Sequence, residues 1–321
     1  MYTIKQPSQI IFGKFSVRNY IFPKQCLVIT SKGSKSRGWL EYAGLKDTYL
    51  FENVEPNPSI ETVNKIISEF NSFNFSHVIG LGGGSSMDVA KYVGYKIGKK
   101  KIMIPTTFGS GSEVTRIAVL KIDEKKQSFH NDKLFADVAI IDSFFIDNSP
   151  EKIIKNSVID ACAQCTEGFD SNNGNIFTKF LCNEAFKLLE DGIINNNKEK
   201  IVLGSLISGL GFGNCSTTLG HALSYVFSNE GINHGHTLAF TTSVAHRFNN
   251  SIFYHRFLNL VHKLNFSQIM LEENIEKASK LIMSDRKHLD NNPKNVNKND
   301  IEYLLQIVNS GKALEEFQLE S

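Results

Sequence analysis

Residues 77–98 read HVIGLGGGSSMDVAKYVGYKIG. Val78, Ile79 and Leu81 make an unbroken apolar run that reads as a strand buried on both faces, and the segment from Met87 on reads as a helix opening at Ser85 or Ser86. Gly82, Gly83 and Gly84 stand between them. Glycines at a strand-to-helix turn let a phosphate approach the backbone, while the free N–H groups and the dipole of the helix start favour an anion. Gly83, Gly84, Ser85, Ser86 and the neighbouring Asp88 are therefore candidate pyrophosphate contacts. The spacing departs from GxGxxG, and a tight turn alone would also explain the glycines.

Working outward, the same alternation recurs. CLVIT (26–30) is a continuous apolar strand running into SKGSKSRG, and DTYLFENV (47–54) is a second strand. SIETVNKIISEFNSF (59–73) places Ile60, Val63, Ile66, Ile67 and Phe70 on one helical face behind Ser59 as N-cap. The strand KIMIP (101–105), the loop TTFGSGSEVT, and the strands RIAVLKI (116–122) and DVAIID (137–142) follow. Strands alternating with helices argue for a parallel sheet covered on both faces. From Ser149 on the period is helical, broken only at SNNGN (171–175), INNNKEK (194–200) and NNPKNVNKND (291–300). The expected architecture is an α/β dinucleotide-binding domain over residues 1–149 and an all-α domain over residues 150–321.

Composition narrows the partners. The 321 residues carry a formal charge of +2 with both signs interleaved, so neither nucleic acid nor an anionic membrane surface is expected as a partner. No apolar run approaches the ~18 residues of a spanning helix, and the opening MYTIKQPSQIIFGKF lacks a secretory pattern, so a cytoplasmic protein acting on a small molecule is expected. The five cysteines show no framework spacing; Cys162 and Cys165 read as small residues on a helix, since no second CxxC completes a zinc site.

Two further stretches bear on chemistry. PTTFGSGSEVT (105–115) also follows a strand and offers Thr106, Thr107, Ser110, Ser112 and Thr115 as hydroxyl donors. Two such loops at neighbouring strand ends outline the crevice in which dinucleotides bind on open α/β sheets. In SVIDACAQCTEGF (157–169), Asp160 and Gln164 lie four apart and project from one helical face. His221 and His234 flank the turn NEGIN, so one arises from a helix and the other from the start of the next. Together they outline a metal site, although a single histidine is more often a core or surface residue.

These residues resemble the iron-containing, or group III, alcohol dehydrogenase family. The resemblance is carried by IIFGKF (10–15), GGGSSMDVAK, PTTFGSGSEVT, IIDS (140–143), DACAQCTEGF, HALSY (221–225), INHGHTLAF (232–240), AHRFN (245–249) and NNPKNVNKNDI, in the family's order. It implies the dehydroquinate synthase-like fold of that family, NADPH or NADH as cofactor, a divalent metal such as Fe2+ or Zn2+, and a homodimer. The implied ligands are Asp160, His221 and His234, with Gln164 where the family usually has histidine; an amide oxygen is the harder, weaker ligand. Tyr225 falls where the family often has another histidine and is a candidate proton donor, and His236 a candidate relay to solvent. The implied reaction is reversible reduction of an aldehyde to a primary alcohol. The motifs look most like members acting on short anionic aldehydes, phosphonoacetaldehyde or malonic or succinic semialdehyde, with Arg116 and His288 as candidate cations. Ser31 stands where the family often has an aspartate, and Lys32, Lys35 and Arg37 follow, which favours NADPH. A lyase or synthase on the dehydroquinate synthase-like fold, and a non-catalytic nucleotide-binding relative, are the alternatives.

Overall fold

The computed structural model describes residues 1–123 and 125–315. Two compact units separate at Pro150: the first runs from Thr3 and the second begins at Glu151.

In the first unit, β1 (Gln9–Phe12), β2 (Cys26–Ile29), β3 (Tyr49–Phe51), β4 (His77–Gly82), β5 (Lys100–Pro105) and β8 (Val138–Ile141) form one sheet in the order β1-β8-β5-β4-β2-β3. Every pairing is parallel. From β2 the chain first adds β3 on one side, then returns to place β4 and β5 on the other, so the order reverses between β2 and β4. The core against this sheet holds Leu27, Ile29, Val63, Ile66, Val78, Met87, Val89 and Met103, all nearly inaccessible. Helix Ile60–Phe70 starts on Ser59, whose side chain accepts from Thr62 N–H, and buries Val63, Ile66 and Phe70. Gly80 lets helix Gly84–Lys96 close on the sheet: a Cβ there would sit 2.8 Å from both Ala90 Cβ and Met103 Sδ.

One local expectation is corrected, and one segment gains a helix. β6 (Ile117–Ile122) leaves the parallel sheet and pairs antiparallel with β7 (Lys125–His130) in a two-stranded ribbon. Its burial alternates, with Ala118 and Leu120 inward, as a sheet covered on one face requires; the apolar appearance of RIAVLKI hid that period. SKGSKSRG contains a short helix, Lys32–Ser36, because the Ser31 side chain caps it by accepting from Ser34 N–H.

The second unit is helical. Its principal helices are Glu151–Asp170, Ile176–Ile194, Lys198–Phe212, Leu219–Asn229, His234–Asn249, Tyr254–Leu264, Ile275–Met283, Arg286–Asp290 and Lys298–Asn309. The asparagine-rich breaks are helix starts: Asn175, Asn197 and Asn297 each accept backbone N–H groups as N-caps. Among the described residues, no helix is long and apolar enough to cross a membrane.

Candidate metal centre and nucleotide cavity

Asp160 projects from helix Glu151–Asp170, His221 from the first turn of Leu219–Asn229, and His234 is the first residue of His234–Asn249. Asn233 caps this last helix by accepting from Gly235 N–H, which fixes the ring at the helix mouth. Asp160 Oδ1 is 3.9 Å from His221 Nε2 and 4.0 Å from His234 Nε2. Two donors each ~2.1 Å from a shared cation are at most ~4.2 Å apart, so both separations suit a common ion. One ligating atom from each of the three residues lies within 4.8 Å of the others.

Gln164 completes the face. Its Nε2 donates to Asp160 Oδ1 at 2.8 Å, and its Oε1 is buried with no partner among the described residues. A half-turn of the amide exchanges the two atoms and turns the orphaned acceptor towards the donor set. The residues thus fit a divalent cation held by two oxygens and two imidazoles.

Glu167, which the sequence reading did not single out, orients His221. His221 Nδ1–H donates to Glu167 Oε2 at 2.5 Å, and the same carboxylate accepts from Thr218 N–H and His221 N–H at 3.2 Å each. A ring whose Nδ1 is so occupied presents Nε2 to the metal, the usual carboxylate–histidine support of a ligand. The approach depends on Gly220, where a Cβ would lie 2.2 Å from Glu167 Oε1. Burial opposes charge on both groups, yet their mutual attraction wins: His221 is raised and Glu167 lowered from their ordinary pKa values.

Aromatic rings wall the donors. Tyr225 stacks on His234 at 6.4 Å between centroids and meets His288 edge-on at 5.6 Å. His236 is not part of this group: its Nε2–H donates to Ser267 O at 2.6 Å, and its ring lies between Phe240 and Phe266. Two residues along a helix is about 200° around the axis, so His236 is turned away from the face that His234 uses.

The nucleotide residues lie in the first unit. A cavity of about 560 Å³ is lined by Ser31, Lys32 and Gly33 after β2, by Asn53, Val54, Glu55 and Pro56 after β3, and by Gly83, Gly84, Ser85 and Ser86 after β4. It opens at the carboxyl ends of the strands where their order reverses, the position at which open α/β sheets receive nucleotides. Gly83 caps helix Gly84–Lys96 without a side-chain hydrogen bond, one residue earlier than expected, so the first-turn N–H groups face the cavity mouth. The second loop packs on the first: Cβ atoms at Gly83 and Gly84 would lie 3.1 Å from Thr107 Oγ1 and 3.0 Å from Ser110 Oγ.

The other expected contacts sit as follows. Thr106, Thr107, Ser110 and Thr115 fall outside this cavity's lining; Thr106 and Thr115 are buried, with Thr106 N–H donating to Gly82 O at 2.9 Å, whereas Thr107 and Ser110 are half-buried against Gly83 and Gly84. Asp88 is engaged within the fold, accepting from Ser112 Oγ at 2.5 Å and Val119 N–H at 3.1 Å, with Lys91 Nζ 3.5 Å away. Of the three cations after Ser31, Lys35 pairs with Glu52, and Arg37 donates to Gly33 O and covers Trp39. Lys32 is the one of the three that lines the cavity. Arg116 is half-exposed and paired with Asp132 at 2.9 Å, so its charge is already matched.

The family model described as iron-containing alcohol dehydrogenase matches residues 7–143, and that of the family's C-terminal region matches residues 154–304. The chain belongs to the iron-containing alcohol dehydrogenase family. Among curated relatives, 4-hydroxybutyrate dehydrogenase of Clostridium kluyveri is 31% identical over 207 residues, 56% of this chain and 56% of that protein. The chain spans about half the length of the curated relatives it matches first. Among solved structures, iron-containing alcohol dehydrogenase from Thermotoga maritima superposes with a TM-score of 0.85 at 23% identity, over 97% of this chain and 100% of that one. Sulfoacetaldehyde reductase from Bifidobacterium kashiwanohense, in complex with NAD+, gives 0.84 at 23% identity, over 97% and 99%. These likenesses establish the shared fold.

Proposed function

We propose that this member of the family is a metal-dependent, NAD(P)H-linked alcohol dehydrogenase that reduces a short anionic aldehyde to the primary alcohol. The observation that carries the reading is the convergence of Asp160, His221 and His234 with the orphaned Oε1 of Gln164. When bound, the metal supplies a Lewis acid for a carbonyl oxygen and the nicotinamide supplies hydride. The chain's own contribution is positional. Asp160, Gln164, His221 and His234 would hold the cation, and Glu167 keeps His221 in the tautomer that leaves Nε2 for it. The N–H groups at Gly84–Ser86 would receive the pyrophosphate, with Ser31 and Lys32 at the adenosine ribose. Lys32 beside neutral Ser31 supports NADPH over NADH. Tyr225, stacked on His234, is our candidate to move a proton at its phenol oxygen.

Support for an acidic substrate comes from two names, 4-hydroxybutyrate dehydrogenase and sulfoacetaldehyde reductase, both of which specify an acid-bearing compound. Succinic and malonic semialdehyde and phosphonoacetaldehyde are the substrates to test. A homodimer is also proposed, because among the described residues β1 pairs only with β8 and leaves an open sheet edge near exposed Phe12 and Phe15; light scattering during gel filtration measures it.

The test is reduction by protein stripped of metal and reloaded separately with Fe(II), Zn(II), Mn(II) or Ni(II), with NADPH or NADH. Metal-dependent turnover favouring acidic aldehydes over propanal is expected. Nucleotide binding without turnover under any metal would reject the enzyme in favour of a nucleotide-binding protein.

A further inference from the structure

Four of the five cysteines lie in the second unit, and two of them meet. Cys182 is on the buried face of helix Ile176–Ile194, and Cys215 stands in the turn between helices Lys198–Phe212 and Leu219–Asn229. Gly168 and Gly211 open the notch that holds both thiols. A Cβ on Gly168 would lie 3.0 Å from Cys182 Sγ and 3.3 Å from Cys215 Sγ, and one on Gly211 would lie 2.8 Å from Cys182 Sγ. Cys215 Sγ is itself 3.3 Å from Gly168 O and 3.5 Å from Gly211 O, and the two thiols share a hydrogen bond. The Cys165 thiol, by contrast, donates to Cys162 O at 3.3 Å along its own helix.

The chemistry of the pair also suits oxidation. Cys215 is the most accessible of the five cysteines, at 3% against 0% for the others. Hydrogen bonding from Cys182 lowers the Cys215 pKa from its ordinary value, against the effect of burial, and a thiolate is the form that attacks an oxidant. The turn that carries Cys215 is tied to the candidate metal centre. Asn291 Nδ2 clamps it by donating to Cys215 O at 2.9 Å and to Thr217 O at 3.0 Å. The next N–H, that of Thr218, is one of those that Glu167 accepts while it orients His221. A disulfide draws two sulfurs to ~2.05 Å, well inside any hydrogen-bonded separation, so closing one here moves a turn that sits three residues from a partner of Glu167.

We propose that Cys182 and Cys215 form a reversible disulfide under hydrogen peroxide, and that the bond weakens metal binding by displacing Thr218 and His221 from Glu167. The Cys215 thiolate attacks one peroxide oxygen, giving a sulfenic acid and a hydroxide that takes up the proton the thiol released. The Cys182 thiol then attacks the sulfenic sulfur and expels its oxygen as water. In sum, two thiols give up two hydrogen atoms and the peroxide is reduced to two waters. The effect on the metal rests on the reading of Asp160, Gln164, His221 and His234 as ligands; the bond itself does not.

The test starts from unsubstituted, metal-free protein. It is treated with hydrogen peroxide and desalted; one portion is unfolded, alkylated with N-ethylmaleimide and mapped by peptide mass spectrometry, and another is titrated with Zn(II) by chelator competition. A cross-linked peptide pair containing Cys182 and Cys215 is expected, with Zn(II) affinity lowered at least 10-fold and both changes reversed by dithiothreitol. Reduced Cys182→Ala and Cys182→Ser are expected to bind Zn(II) within about a factor of 2 of wild type, and to show no dithiothreitol-reversible loss after peroxide. Thiols that all stay free, over-oxidation of Cys215 without a bond, a Cys162–Cys165 bond in its place, or a bond that leaves affinity unchanged would each overturn the assignment. So would the same reversible loss in the Cys182 variants. Reduced wild type that binds no Zn(II) would refute the metal-centre reading and the coupling with it, while the peptide map still decides the bond.

Discussion

Glu167 shares helix Glu151–Asp170 with Asp160 and Gln164, yet its work is done on another helix, where it takes three hydrogen bonds from Thr218 and His221. Removing its charge while keeping its shape should free the His221 ring. Glu167→Gln is expected to weaken Zn(II) binding 10–100-fold by chelator competition, the usual cost of losing such a support; unchanged affinity would show that His221 is held some other way. Gln164 makes the opposite prediction. Imidazole is the better ligand for first-row metals, so Gln164→His should tighten Zn(II) and Ni(II) binding by an order of magnitude or so, read in the same competition. At the nucleotide, Lys32→Ala should raise KM for NADPH about 10-fold more than KM for NADH, because in the proposed binding mode the lost ammonium would face the 2′-phosphate, which NADH lacks. Asp160, His221 and His234 could be picked out in the sequence by type and spacing, whereas Glu167 could not. Its partners lie at the start of another helix, which a linear pattern does not carry.

Helix starts set the geometry of both sites. Asn233 places His234 at the first position of its helix, and Asn233→Ala should cost about 1 kcal/mol in urea denaturation. In the first unit, the buried Lys91 ties helix Gly84–Lys96 to the loop after β5, donating to Ser112 O, Thr115 O and Ile117 O beside Asp88. Next to it, burial raises Glu113 to a pKa of about 7 from the ordinary 4.5, although the Lys91 ammonium pulls the other way. The native state therefore binds that proton more tightly than the unfolded chain. The stabilising contribution is full below pH 4.5 and is lost as pH rises towards 7, on the order of 3 kcal/mol in all. Glu113→Gln should flatten that part of the stability curve, measured as urea midpoints at pH 5 and pH 8; an unaltered slope would place the titration elsewhere. The hydroxyls and Asp88 of these segments read as ligands in sequence, and a glycine-rich polar loop carries no signal that separates binding a phosphate from bracing a neighbouring loop.

At the scale of the molecule, the two units should respond to different ligands. NADPH at 100 times its Kd should stabilise the first unit by about 2.7 kcal/mol and slow hydrogen exchange around residues 29–34 and 80–87. Stripping metal with a chelator should speed exchange around residues 160–167 and 221–236; the reverse pattern would contradict the assignment of sites to units. The sequence by itself determined the class of each half, because a period of 3.6 or an unbroken apolar strand is a local property that burial enforces residue by residue. It also determined where the capped helices begin, as at Ser59, Asn175, Asn197 and Asn297, since serine and asparagine caps act on their own next turn. Tertiary structure alone decided which polar side chains meet. Strand order brings Ser31, Asn53 and Gly83 to one cavity, and helix packing turns His221 towards Asp160 while His236 is spent on Ser267. Such meetings depend on distances between segments far apart in the chain, set by the packing of whole elements rather than by any residue's neighbours.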